Sequence, residues 1–218
     1  DGFKEVNDSI GHSTGDQVLK QVSLRLQKEM PEAHSLCRWG GDEFLIILAN
    51  MAEDEVVTKA ESIITKVSKQ YEVDDSRITI GATIGAAFYP KHAKNEVELI
   101  QLADTAMYHQ KKNAPSTVGV FSDEMGYIIS REQKLKTRLN NAIENGELRL
   151  VYQPIINTND QTNFAFEALL RWQLDGEAIG PDEFISVAEQ YGQIRKIGAW
   201  VLKEACLAAK RWQQLADD

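Results

Sequence analysis

Cysteine is nearly missing from this chain: positions 37 and 206 hold the only two in 218 residues, and they form no Cys-x-x-Cys pair or zinc-ligand spacing. A disulfide scaffold and a conventional structural zinc site are thereby excluded. Two thiols so far apart read as reduced and buried, which suits a cytoplasmic protein. Long hydrophobic runs are missing too. The longest, Phe44 to Ala49, is far below the ~20 apolar residues of a membrane-spanning helix, so no membrane contact is expected within this chain. No segment has the layout of a signal peptide. Basic charge is scarce: 24 Lys and Arg stand against 33 Asp and Glu, for a net charge of -9 and a pI near 5.0. Such a surface repels a phosphate backbone, and nucleic-acid binding is not expected. A small anion can still bind through a metal ion. Low-complexity tracts and internal repeats are also lacking.

The remaining composition, 43% hydrophobic and 26% charged, is that of a globular protein with room for one large domain or two modest ones. The chain starts without methionine and stops inside a helical pattern, so it reads as a piece of something longer. Helical spacing begins around Asp16 and runs through Val18, Leu19, Val22, Leu26 and Met30 to Pro31. Two strands, 36–39 and 44–48, flank a Gly-Gly turn. A helix over 52–70 follows, then a β-branched stretch over 77–89 read as one strand, then a helix capped by Asn95 with Glu98 as its reciprocal partner. This order describes one α/β layer structure that a strand ahead of Asp1 would complete. After a strand at 118–121 comes a helix carrying Leu135, Leu139, Ala142 and Ile143. Two strands, 148–156 and 163–172, separated by Asn157, Asn159 and Asp160, and two helices close the chain. Ile194, Ile197, Val201, Ala205, Ala208, Trp212 and Leu215 share one face of the last helix, which reads as core, or as a partner surface anchored by Trp200 and Trp212.

Residues 38–48 read RWGGDEFLIIL. Gly40 and Gly41 let a ligand approach the backbone where a Cβ would collide. Asp42 and Glu43 then stand side by side, and two such charges repel unless a cation compensates. Mg²⁺, held by one or two carboxylates together with nucleotide phosphates, is the usual compensation. A solvated hairpin tip remains the equal alternative on these residues alone. The opening stretch DGFKEVNDSIGHSTGD adds Lys4, a point charge suited to a terminal phosphate. Asn7 and Asp16 can together meet the edge of a guanine, the carboxylate accepting from N1–H and the exocyclic amine and the amide serving the carbonyl. Taken singly, Asp16 suits a helix start, and Asn7 and Asp8 suit a turn.

Taken together, DGFKEVND, GHSTGD, RWGGDEF and LADTAMYHQKK resemble, in order and spacing, the GGDEF family of diguanylate cyclases over about residues 1 to 121. The resemblance implies a palm-like α/β domain related to nucleotide cyclases that joins two GTP molecules into cyclic di-GMP. Asp42 would hold Mg²⁺ or Mn²⁺, with Glu43 as second ligand or base. Asn7 and Asp16 would read guanine, Lys4 and Lys111 would hold phosphates, and Gly40 and Gly41 would admit the nucleotide. Each domain would supply one GTP, so a homodimer is implied. Three departures stand out. The family's first metal ligand precedes the residue matching Asp1 by two positions. The family's Gly-Arg-Asn, whose Arg contacts phosphate, is replaced by Ala114-Pro115-Ser116. The inhibitory Arg-x-x-Asp reads Pro31-Glu32-Ala33-His34.

In NFAFEALLRW, alternation places Glu167, Leu169 and Arg171 on one face and Phe166, Ala168 and Leu170 on the other. Glu167 and Arg171 read as a strand ion pair or as a metal ligand with a phosphodiester clamp. LRLVYQPI, FEALLRW, GPDEFISVAEQYG and IGAWVLKEAC resemble the beginning of the EAL family of cyclic di-GMP phosphodiesterases over residues 147 to 218. That resemblance implies a divalent cation on Glu167 and contacts from Gln153 and Arg171 to cyclic di-GMP. The expected plan is a GGDEF domain lacking its first strand at 1–122, a linker helix at 123–146, and the beginning of an EAL-type α/β barrel at 147–218. The expected role is cyclic di-GMP metabolism. The alternatives are a first half that binds GTP without turnover and regulates the second, and a non-catalytic cyclic di-GMP receptor. Neither activity is expected from residues 1–218 alone.

Overall fold

Phe3 and Val6 lie one helical turn apart and form the buried side of α1 (Phe3–Ile10), in a computed structural model that describes residues 1–30, 35–159 and 163–216. The segment holding Asn7 and Asp8, expected as a turn, is thus helical. Gly11, at φ 98°, carries the chain straight into α2 (His12–Glu29), so α2 begins four residues before Asp16. Val18, Leu19, Val22 and Leu26 are its buried stripe, as their spacing predicts. Residues Pro31 to His34, where the inhibitory motif would fall, lie outside the described residues, as does Asp160.

The first of two compact units spans Asp1–Ile129. In it β1 (Ser35–Gly40) and β2 (Glu43–Ile47) form an antiparallel hairpin, followed by α3 (Glu53–Val67). The stretch read as one strand over 77–89 is split. Its start, β4 (Ser76–Ile78), folds back on β3 (Tyr71–Val73), and its end, β5 (Ile84–Ala86), pairs in parallel with β6 (Val118–Val120). Between them Gly81 bonds Asp1 through both backbone groups, at 2.8 and 3.2 Å, so the strand changes partner there. α4 (Glu96–Asn113) crosses between β5 and β6, capped by Asn95 Oδ1, which accepts from Glu98 N at 2.9 Å. Val18, Val22, Leu26, Ile63, Val67 and Tyr71 centre the core of this unit, with Leu36, Phe44 and Ile46 of the hairpin packed against it.

α5 (Asp123–Leu139) runs from the first unit into the second, Ser130–Asp218. The helix expected to carry Ala142 and Ile143 stops at Leu139, and Ala142 is buried in the turns that follow. β7 (Leu148–Ile156) pairs with β8 (Asn163–Leu174), and a third strand not read from the sequence, β9 (Glu177–Ile179), completes the sheet. The connecting Asp175-Gly176 has φ 53° and 85°, the two positive values of a tight hairpin turn. α6 (Pro181–Gln190) and α7 (Ile194–Ala216) follow, and Leu135, Leu139, Trp172, Phe184 and Ile197 join in a second core.

Both cysteines are exposed, contrary to expectation. Cys37 alternates with Leu36, which packs on the core, and Cys206 lies two residues, or 200° of helix, from buried Ala208. Among the described residues no helix is long and apolar enough to cross a membrane.

Candidate functional site

The hairpin tip is shaped by an extra residue. Arg38 pairs with Phe44 and Gly40 with Glu43, which leaves Trp39 as a bulge, 62% exposed. The reversal itself is made by Gly41 and Asp42, and Gly41 at φ 53° occupies the left-handed region. Arg38 Nε donates to Gly41 O at 2.7 Å and ties the tip to its own strand. Asp42 and Glu43 both project into solvent. The sequence placed the turn at Gly-Gly. The bulge moves it one residue on and makes Asp42 part of the turn.

Around Asp1 the start of the chain, the segment just ahead of β5 and the end of α4 converge. Asp1 Oδ2 accepts from Thr83 Oγ1 at 2.6 Å and from Ser116 Oγ at 3.3 Å, and Asp1 Oδ1 lies 3.8 Å from Lys111 Nζ. Ser116 N donates to Thr83 Oγ1 at 2.9 Å. Burial holds the Asp1 amino group below its usual pKa, Lys111 adds to that, and Asp42 opposes it, so the fields of Lys111 and Asp42 meet here. Lys111 and Asp42, far apart in sequence, both act on this one amino group. Thr83 was not singled out from the sequence, because nothing local marks a threonine in a β-branched run as a tie between distant segments.

Lys4, Asn7 and Asp16 lie on the first two helices. Lys4 and Asp16 are exposed, Asp16 beside Ser13, Gln17 and Lys20 in a shallow hollow. Asn7 is half-buried, and its Oδ1 is shielded from solvent without a hydrogen-bond partner.

In the second unit the register sets Gln153 directly across from Glu167, and Arg149 directly across from Arg171. These four residues share one face of the β7–β8 pair, as alternation requires. The other face is covered by α7: Trp212 meets Tyr152 at 4.7 Å and Phe166 at 5.1 Å between ring centroids. Trp212 therefore packs on its own sheet. Glu167 forms no ion pair among the described residues, and Arg171 Nη1 donates to Leu170 O at 2.9 Å. The ion-pair reading of Glu167 and Arg171 is not what the geometry shows. Arg149 was not singled out from the sequence, because its place on this face follows from the pairing register.

No cluster of three or more His, Cys, Asp or Glu side chains able to hold a metal ion occurs among the described residues. A closed all-protein metal cage does not fit. Two adjacent exposed carboxylates do fit Mg²⁺ or Mn²⁺, hard cations that complete their shell with water and ligand phosphates.

Residues 1–116 match the family model described as the diguanylate cyclase GGDEF domain, and residues 136–218 match the EAL domain. The bifunctional diguanylate cyclase/cyclic di-GMP phosphodiesterase MucR of Pseudomonas aeruginosa is 35% identical over 213 residues, covering 97% of this chain and 31% of MucR. The cyclic di-GMP phosphodiesterase PdeR of Escherichia coli is 34% identical over 214 residues, covering 98% of this chain and 32% of PdeR. The chain thus spans about a third of the length of these curated relatives. Among solved structures, the GGDEF domain of TpbB (YfiN) from Pseudomonas aeruginosa superposes with a TM-score of 0.57 at 34% identity, over 60% of this chain and 77% of that one. The first unit shares the mixed α/β, palm-like fold of such domains, and the second contributes the start of an EAL domain, whose three strands do not close a barrel. With a GGDEF match over more than half of its length and an EAL match over most of the remainder, this chain belongs to the GGDEF family.

Proposed function

We propose that the first unit binds Mg²⁺-GTP and that the chain serves cyclic di-GMP metabolism, its EAL part acting on the cyclic dinucleotide. The observation that carries this reading is the hairpin tip, where a bulge and a left-handed glycine present Asp42 and Glu43 together in solvent. Hairpin stability does not call for two acids there. Charge repulsion between them is relieved by a divalent cation that a triphosphate brings.

In this reading Asp42 and Glu43 hold the ion, which supplies charge neutralisation at the α-phosphoryl group. Asn7 and Asp16 bind the guanine edge, Lys4 and Lys111 bind phosphate oxygens, and Gly40 and Gly41 leave the backbone open to the nucleotide. Lys111 is held beside Asp1 at 3.8 Å. Two such units face to face bring each 3'-hydroxyl to the other's α-phosphorus. The 3'-hydroxyl would lose its proton to Glu43 or through water to the leaving pyrophosphate; the new bond is 3'-oxygen to phosphorus, the bond broken is that to the β-phosphate bridge, and pyrophosphate leaves in line. A homodimer is therefore the productive assembly. In the second unit Glu167 would hold a divalent cation, with Gln153 and Arg171 on the phosphodiester.

A second reading, GTP binding without turnover as a regulator of the EAL part, is favoured by one specific feature. Pro115 stands where the family has a phosphate-contacting Arg, which removes a cation from the triphosphate. Calorimetry with GTP and ATP, each with and without Mg²⁺, tests the shared core of both readings. Mg²⁺-dependent GTP binding that is lost in Asp42→Ala is expected. A wild-type chain that takes up no GTP under either condition overturns the proposal, and chromatography of the products then separates turnover from binding.

A further inference from the structure

Gly15 lies buried in α2, and a Cβ built on it would come 2.0 Å from Asn7 Oδ1, 3.1 Å from Asn7 Cγ and 3.1 Å from Phe3 Cζ. The first distance is impossible for a real side chain, so the missing Cβ is what makes room for the Asn7 amide. Gly15 has no need of glycine for its backbone, since it sits within a regular helix where glycine is unfavourable by about 1 kcal/mol relative to alanine. Space, and not conformation, is the reason for glycine here.

That space has an odd occupant. Asn7 Oδ1 fills it without a hydrogen-bond partner, an arrangement that costs stability and calls for an explanation. Oxygen and nitrogen leave Cγ at about 120° to each other. With Oδ1 turned into the gap over Gly15, Nδ2 is turned away from it. The plane of the amide is therefore set by shape, and in this orientation its donor side is turned away from the gap. Gly11 fixes the approach of the two helices, because its N–H donates to Asn7 O at 3.0 Å and its carbonyl accepts from Gly15 N at 3.2 Å.

We propose that Gly15 is a specificity-positioning residue: its absent side chain seats the Asn7 amide so that Nδ2 meets the carbonyl of a guanine base. This rests on the reading of the first unit as a GTP site. The collision in a Gly15→Ala chain falls first on the far end of a flexible side chain, so the cheap relaxation is to swing the Asn7 amide away. Folding survives that movement, while base recognition does not.

The test is calorimetry on the chain with Mg²⁺-GTP, Mg²⁺-ATP and inorganic tripolyphosphate, for wild type, Gly15→Ala, Asn7→Ala and the double variant. Gly15→Ala is expected to weaken GTP roughly 10- to 100-fold, the effect of one lost hydrogen bond that leaves a polar group unpaired. Tripolyphosphate affinity stays unchanged, and the GTP-to-ATP ratio falls toward one. The double variant binds GTP no more weakly than Asn7→Ala, because the alanine then has nothing to displace. If Gly15→Ala does not fold but the double variant does, the collision is with Asn7 and the inference stands. An unchanged GTP-to-ATP ratio, additive losses, an equal loss of tripolyphosphate, or failure of both Gly15 variants to fold overturns it. A wild-type chain that binds tripolyphosphate but does not prefer GTP to ATP overturns the guanine reading itself.

Discussion

Arg149 and Arg171 stand directly opposite each other on β7 and β8, on the face that also carries Gln153 and Glu167. Like charges directly across a strand pair are destabilising by a few tenths of a kcal/mol to about 1 kcal/mol. Glu167, two cross-strand pairs away, forms no ion pair with either among the described residues. The pair is therefore a like-charge contact whose repulsion an added anion is expected to relieve. Arg149→Ser is expected to raise the melting temperature of the second unit at 10 mM salt and to make no difference at 500 mM, where screening is nearly complete. Added pyrophosphate should stabilise the wild type more than the variant. Thermal melts at the two salt concentrations check both statements, and equal salt dependence in the two proteins would remove the anion from the argument.

A second prediction concerns Arg25, whose guanidinium lies 3.7 Å from the centre of the Tyr71 ring. Its nitrogens donate to the carbonyls of Lys66, Val67, Lys69 and Gln70, and Tyr71 Oη donates to Val67 O at 2.7 Å. One side chain of α2 thus satisfies the open carbonyls at the end of α3, where the helix dipole also favours a cation. A lysine keeps the charge but cannot serve four acceptors from one planar fork. Arg25→Lys should cost about 2 kcal/mol in urea unfolding of the first unit. A loss below a few tenths would show that water replaces the guanidinium freely.

Long periodic elements were legible, and long-range ties were not. Val18, Val22 and Leu26 announced α2, and alternation alone put Glu167 and Arg171 on one face. α1 was missed because it is short, opens on Gly2 in the left-handed region and has no side-chain cap, so Glu5 in its first turn is the one weak start signal. The strand read over 77–89 breaks where Gly81 pairs with Asp1, a contact 80 residues away. For the same reason Thr83 looked like one more β-branched residue, although it joins Asp1 to Ser116. β9 was readable in principle, since Asp175-Gly176 is a hairpin dipeptide. The candidate ligands were legible as a set, but why Gly15 is glycine needed coordinates.

Acid should loosen the second unit through Glu147. Burial pushes its carboxyl up, but hydrogen bonds from Trp172, Arg138 and Asn145 outweigh that and hold it below the ordinary glutamate range. Arg131 likewise holds Glu177 low, and Lys196 holds Glu144 low. A group with a depressed folded pKa contributes stability that is present above its unfolded value and lost as pH falls through the folded one. Stability of the second unit should therefore be level above about pH 5 and decline below about 4.5. Tryptophan fluorescence follows this unit, because Trp172, Trp200 and Trp212 lie in it and only Trp39 does not. Glu147→Gln should be less stable at pH 7 and show a shallower decline in acid. An equal slope in both proteins would assign the acid sensitivity elsewhere.

Pro115 offers the sharpest test of how far the first unit departs from its family. It is exposed beside Ser116, whose Oγ reaches Asp1 and whose φ of 61° is already left-handed, and Lys111 is close to the same carboxylate. A guanidinium introduced there meets no packed neighbour and restores the cation that the family places against phosphate. Charge-assisted hydrogen bonds to phosphate contribute about 1.5 to 3 kcal/mol, and solvent exposure puts this one at the low end. Pro115→Arg should therefore tighten Mg²⁺-GTP about tenfold at low salt and affect GTP and ATP equally, since phosphate and not base is contacted. Higher ionic strength should shrink the gain. If calorimetry finds the same affinity in Pro115→Arg as in the wild type, the triphosphate does not extend to the end of α4, and Lys111 loses its assigned role along with it.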